Sequence, residues 1–232
     1  MAELVKTLNT FAHDALIGGT EIPLLTKAVT LAAGSGTVAR GTVLGKITIG
    51  AASVAVAGAG EAGANTGNGT LTIDATTPVL AGAKPGVYQV KIVSAAVADP
   101  AAAAMAHVFD PDGDLIDIIE AATTPGTTFS KQIKFVIVDG STAFVAGDGF
   151  TVTLAAGSGK HKTVDSTAVD GSAVADCIAV QTVVVPADAD AKGEAYTQGI
   201  FNGDHLIFGG SDTMATHADR LRELNIIVTN EQ

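Results

Sequence analysis

Residues 133–154 read IKFVIVDGSTAFVAGDGFTVTL. Ile133, Phe135 and Ile137 form a period-2 run with Lys134 facing out, and Phe150, Val152 and Leu154 form another. Strict alternation is the signature of a strand with one face buried. Between the runs lie Asp139 and Gly140, a dipeptide that favours a hairpin turn, then Phe144 and the turn formers Gly147, Asp148 and Gly149. The stretch predicts β-structure.

The same texture extends towards the N-terminus. Tyr88, Val90 and Ile92 alternate with Gln89 and Lys91, behind a turn at Pro85 and Gly86. Leu71 and Ile73 alternate with Thr70, Thr72 and Asp74. Phe109 leads into Asp110, Pro111, Asp112 and Gly113, where proline presets φ and glycine accepts a positive φ. Short strands with turn signals between them predict a small sandwich over 69–154. Residues 101–104, AAAA, suit either a helical turn or a loop.

The flanks differ. Residues 28–50 read as two short strands around glycine-rich turns, the first marked by Val29 and Leu31 and the second by Val43, Ile47 and Ile49. Residues 50–68 are small and rich in Gly and Ala, the composition of a linker. Beyond 165, residues 183–185, 196–201, 206–208 and 226–228 read as strands. Residues 214–224, with Leu221 and Leu224 at i, i+3 and Thr213 and Thr216 as caps, predict a short helix. Residues 30–36 and 153–159 are both TLAAGSG, one local structure used twice. Residues 1–25 lack a clear period; Leu4, Leu8, Phe11 and Ala15 suit an amphipathic helix, or the segment is an arm that orders against a partner.

Composition narrows the function. With 232 residues, no Trp and 4% aromatics, the core must be built from Val, Ile, Leu and Ala, side chains that favour sheets. The net charge of −11 argues against a nucleic-acid partner. Residues 1–49 carry net +1, 50–164 net −4 and 165–232 net −8, a polarity that would suit one docking end and one solvated end. The single Cys177 excludes an internal disulfide and reads as a buried structural thiol. Neither a signal peptide nor an apolar run of membrane-spanning length is expected.

Motifs for chemistry fall short. Gly157, Ser158, Gly159 and Lys160 resemble the heart of a phosphate loop, but Leu154 and His161 stand where glycine and Ser or Thr are required, so a tight turn is expected. Asp110, Asp112 and Asp114 have calcium-loop spacing, but Leu115 and Ala121 occupy the sixth and twelfth positions, which excludes an EF-hand. None of His13, His107, His161, His205 and His217 is spaced in sequence as a metal ligand with another His or a Cys. No metal, no cofactor and no catalytic residue is expected, and the chain reads as a structural protein and not an enzyme.

Two segments carry a family resemblance. Residues 29–48, VTLAAGSGTVARGTVLGKIT, and 170–208, DGSAVADCIAVQTVVVPADADAKGEAYTQGIFNGDHLIF, closed by LRELNIIV at 221–228, resemble the lambda-type head decoration proteins of tailed phages. The shared features are GTVLG, DGS, the FN pair and the LR..GIIV ending, in which Asn225 stands where glycine is usual. The resemblance implies a mainly β protein. An N-terminal capsid-binding arm would span 1–27, and a discontinuous, β-tulip-like trimerisation base 28–55 and 160–232, with one short helix near the C-terminus. An immunoglobulin-like β-sandwich would be inserted at 56–159. It also implies homotrimers bound to the major capsid protein on the outer surface of the expanded phage head, at three-fold or quasi-three-fold positions. There they would resist internal DNA pressure, after synthesis in the host cytoplasm. Leu4, Leu8, Phe11, Ile22, Leu24 and Leu25 are the expected docking side chains. No nucleic acid and no membrane is expected as a partner. The alternatives are a β-sandwich that binds a glycan or host-cell surface, with Tyr88 and Tyr196 as its only tyrosine platforms, and a hydrolase with an unfamiliar site.

Overall fold

The computed structural model describes residues 14–229 except 59, 61, 62, 99, 100 and 124. The chain forms β1 (Ile17–Gly19), β2 (Leu25–Leu31), β3 (Gly36–Val38) and β4 (Val43–Lys46). There follow β5 (Ile49–Val56), β6 (Thr70–Ile73), β7 (Gly86–Ser94), β8 (Val97–Ala98), β9 (Ala101–Ala102), β10 (Ala104–Phe109) and β11 (Leu115–Ala121). Next come β12 (Thr127–Lys131), β13 (Ile133–Val138), β14 (Gly149–Ala156) and β15 (His161–Thr163). The chain closes with β16 (Ala175–Ala179), β17 (Val183–Val185), β18 (Ala191–Asn202), the helix α1 (Met214–Glu223) and β19 (Ile226–Thr229). The protein is mainly β, as its sequence predicts, with its α-helix near the C-terminus. No helix among the described residues is long and apolar enough to cross a membrane.

Two compact units divide the chain: Met1–Leu44 with Ala175–Gln232, and Gly45–Val174. In the first, β18 is the organising strand. Its N-terminal half pairs with β2 and β16, and its C-terminal half with β1 and, in parallel, β19. Val29, Leu31, Val38, Leu44, Cys177, Ala179, Val185 and Ala195 make one small core. Small and β-branched side chains suffice there because the strands pack closely. The helix α1 buries His217 and Leu221, and Thr216 Oγ1 accepts the Thr213 N–H at 3.2 Å, as the threonine pair predicts. Residues 206–208 are not a strand: Ile207 makes only an isolated bridge to Thr42, after the 3-10 turn Gly203–His205. Asn202 Oδ1 accepts the Asp204 N–H and starts that turn, which diverts the chain from the extended path that the apolar Leu206, Ile207 and Phe208 suggest.

The second unit has a five-stranded sheet, ordered β11-β10-β7-β14-β5, and a three-stranded sheet, ordered β12-β13-β6. Their inner faces share one core in which Tyr88, Phe129, Phe135 and Phe144 are fully buried. Each such side chain contributes on the order of 2–3 kcal/mol through burial. The inward residues are the alternating ones of the sequence: Tyr88, Val90 and Ile92; Ile133, Phe135 and Ile137; Phe150, Val152 and Leu154.

Three sequence expectations change here. Asp139 and Gly140 do not close a hairpin, because β13 pairs with β12 and β6 while β14 pairs with β5 and β7. They begin a crossing between sheets. Asp139 Oδ1 accepts the N–H groups of Gly140 and Phe144, and Asp148 accepts those of Thr66, Gly67 and Val145, so the crossing is held by carboxylates. Residues 50–56 are strand β5 and not linker, since alanine and serine can fill an edge register as long as β14 supplies the hydrogen bonds. Residues 101 and 102 form β9 and residue 104 starts β10, where Ala104 is buried.

Candidate functional site

The motifs that carry the resemblance sit where backbone approaches backbone. A Cβ on Gly41, which has φ +85°, would lie 2.5 Å from the His205 carbonyl oxygen. A Cβ on Gly45 would lie 1.9 Å from the Ser172 carbonyl oxygen. The second glycine of GTVLG thus packs on the serine of DGS. That serine is fully buried, and its N–H and hydroxyl both donate to Asp170 Oδ1, at 3.1 and 2.6 Å. The Asp170 carbonyl accepts from Thr48 and Ile49, and its carboxylate pairs with Lys162 at 2.8 Å. Phe201 and Asn202 of the FN pair are buried, and so are Leu221 and Ile226 of the ending. Asn225 has φ +57°, which explains both the usual glycine there and why asparagine can replace it. These motifs build the fold; none of them assembles a reactive centre.

The N-terminal segment enters this frame at a fixed point. Asp14 makes a two-pronged pair with Arg40, at 2.8 and 2.6 Å, and its Oδ1 also accepts the Leu16 N–H. The Asp14 hydrogen bond raises the Arg40 pKa above its already high ordinary value. Arg40 Nε donates to the Val180 carbonyl, Leu16 is buried, and β1 pairs with β18. Neither the Asp14–Arg40 pair nor the burial of Leu16 is evident in the sequence, because 26 positions separate the two charges and Leu16 lies in no periodic run.

Of the expected docking side chains, Leu4, Leu8 and Phe11 lie outside the described residues. Ile22 is half-buried between β1 and β2. Leu24 and Leu25 remain 40% and 51% exposed. Leu24 lies over Gly199, where a Cβ would meet its Cδ2 at 2.4 Å, and Leu25 starts β2 opposite Gln198. Leu24 and Leu25 are thus both partly exposed beside β18 at the start of β2.

The chemical motifs resolve as structure. Lys84 donates to Asp110 and Asp112, while Asp110 Oδ1 accepts the N–H groups of Asp112 and Asp114. An ammonium occupies the place a cation would take. Residues 157–160 are the turn after β14. Gly159 has φ +71°, and a Cβ on Gly157 would strike the backbone of residues 47–49 at 2.5 Å. The TLAAGSG repeat is partly one structure used twice: Leu31 and Leu154 are both buried and Gly36 and Gly159 both take positive φ, but β2 stops at the leucine while β14 continues to Ala156. Cys177 is fully buried, and burial pushes its thiol up to about 12. Tyr88 is buried, with its hydroxyl donating to Gln132 and accepting from the Lys84 N–H, and Tyr196 is buried too, so neither offers a face to a sugar.

The charge polarity along the sequence does not survive folding. The first unit joins the basic N-terminal stretch to the most acidic one and carries twelve acids against six bases, net −6; the second carries twelve against seven, net −5.

A β-rich two-unit chain with a clamped N-terminal segment and motifs spent on backbone packing has the character of a structural protein. The family model of bacteriophage lambda head decoration protein D matches residues 5–227, and the chain belongs to that family. Membership gives it a capsid-decoration role and a place on the phage capsid. No curated protein sequence matches it significantly. Among solved structures, two crystal forms of Xanthomonas campestris FlgL align at 19% and 21% identity over 53% and 52% of this chain. They do so over only 34% and 33% of their own length, with TM-scores of 0.30 and 0.29, too slight to define a shared fold.

Proposed function

We propose that this protein binds the outside of the expanded head as trimers at three-fold or quasi-three-fold positions and stabilises the shell against DNA pressure. The observation that carries this is the family match, which begins at residue 5 and takes in both units. Residues 28–55 and 160–232 are the trimerising base, and 56–159 are an immunoglobulin-like insertion displayed away from the shell; the division into one discontinuous and one continuous compact unit supports this. Residues 1–27 are the docking element, with the major capsid protein as partner. Leu4, Leu8 and Phe11 precede the Asp14–Arg40 clamp, and Ile22, Leu24 and Leu25 form a second contact beside β18.

The physics supports it. Apolar residues on a segment with a fixed root can add a strand to a sheet edge of the shell. Ordering costs about 1–2 kcal/mol per residue, and three segments on one trimer make later contacts effectively intramolecular. Net negative charge suits an outer position better than one against packaged DNA.

Pelleting with undecorated heads tests this. Full-length protein should bind saturably, and a version lacking residues 1–13 should bind at least tenfold more weakly. Equal binding by both versions would remove the segment from the docking role.

A further inference from the structure

The outer face of the five-stranded sheet is more apolar than a solvated face requires. On a sheet whose other face builds the core, the outward residues are expected to be polar. Here Leu115 sits opposite Phe109, Ile118 opposite His107 and Glu120 opposite Met105 across β10 and β11. Leu115 and Ile118 are 48% and 46% exposed, and Met105, His107 and Phe109 are half-buried. The five apolar or aromatic side chains form one patch, bordered by two exposed charges. Lys91, beside His107 on β7, holds its ammonium 5.5 Å from the Phe109 ring, and Glu120 closes the opposite corner on β11. Neither charge has an ion-pair partner among the described residues.

An apolar centre with a charged rim is the anatomy of an interface. The rim also identifies the partner. Lys91 and Glu120 stand two strands and one pleat apart, about 12 Å by sheet geometry. A two-fold axis lying in the contact plane and bisecting the line between them puts each lysine over the other copy's glutamate, and brings Ile118 of one copy over His107 of the other. We propose that this face pairs the Gly45–Val174 unit with the same unit of a second copy of this chain. The match is local: the unit carries net −5, so two copies repel at range and meet only where charges alternate. The pairing does not depend on a trimerising base.

Sedimentation velocity of the full chain up to millimolar concentration tests it, with wild type, Lys91→Glu, Glu120→Lys and the double reversal. All sites are exposed, and a thermal melt confirms that each variant folds. Wild type should show concentration-dependent association. Each single reversal puts like charges face to face at two symmetric positions and should weaken it about tenfold. The double reversal restores complementarity and should return association to within about twofold of wild type. Identical sedimentation of all four proteins, or a double variant no better than the singles, would overturn the proposal. Trimerisation through the base would change the starting mass of all four alike, so the two associations are separable.

Discussion

Replacing Gly45 with alanine should destabilise the protein more than its one added carbon suggests. The new Cβ would lie 1.9 Å from the Ser172 carbonyl oxygen, where ordinary contact is 3.4–4 Å. One of the two must retreat by about 1.5 Å, and the atom in the way is backbone and not a mobile side-chain tip. Ser172 is fully buried and bound twice to Asp170, which is itself tied to Thr48, Ile49 and Lys162, so the loop has little room to yield. Overpacking costs about 1–3 kcal/mol where side chains can shift, and against fixed backbone we expect about 3 kcal/mol or more. For a chain of this length that corresponds to a fall of roughly 6–12 °C in Tm. Gly36→Ala is the control: φ there is +67° and nothing lies within 4 Å, so only the left-handed backbone is penalised, by about 1–2 kcal/mol. Urea unfolding followed by circular dichroism ranks the two. A Gly45→Ala midpoint equal to wild type, or above that of Gly36→Ala, would refute the close-packing argument.

Asn225→Gly should raise stability by about 0.5 kcal/mol, because glycine adopts the left-handed conformation at lower cost, whereas Asn225→Val should lose about 1–2 kcal/mol; urea midpoints would show both. Acid should destabilise late. The Lys84 ammonium holds the Asp110 carboxyl below the ordinary carboxylate range. Burial pushes Asp148 and Asp170 up, but three backbone N–H groups around the first, and Lys162 with Ser172 around the second, outweigh it and hold both low. Groups depressed in the folded state stabilise it fully above their unfolded value of about 3.9 and cease to do so as the pH falls further. The urea midpoint should therefore stay level from about pH 7 to 5 and drop below about 4, and an early decline above pH 5 would contradict the assignment. Cys177 should resist a thiol reagent such as DTNB in the folded protein and react on unfolding; rapid reaction of native protein would refute its burial.

What was legible in the sequence follows the physics of each element. Alternation exposed the strands around Tyr88, Phe135 and Val152 because each has one face in a core and one towards water. The helix declared itself through Thr213 and Leu221. Strand β5 did not, since AASVAV has no polar alternation and its order comes from pairing with β14. The dipeptide of Asp139 and Gly140 was a turn signal, but only tertiary pairing decides whether a turn closes a hairpin or carries the chain to another sheet. The acids at 110, 112 and 114 are ambiguous in the sequence because the cation that pairs two of them, Lys84, lies 26 and 28 positions away. The N-terminal segment proposed for docking is half legible: its apolar residues are plain in the sequence, whereas the Asp14–Arg40 pair is a long-range contact.

Cryo-electron microscopy of undecorated expanded heads, with and without added protein, tests the proposed decoration of the outer surface at three-fold positions. New density is expected outside the shell with three copies around each three-fold or quasi-three-fold axis, touching the capsid through residues 1–27. Density on the inner surface, at other symmetry positions, or nowhere at saturating protein would contradict it.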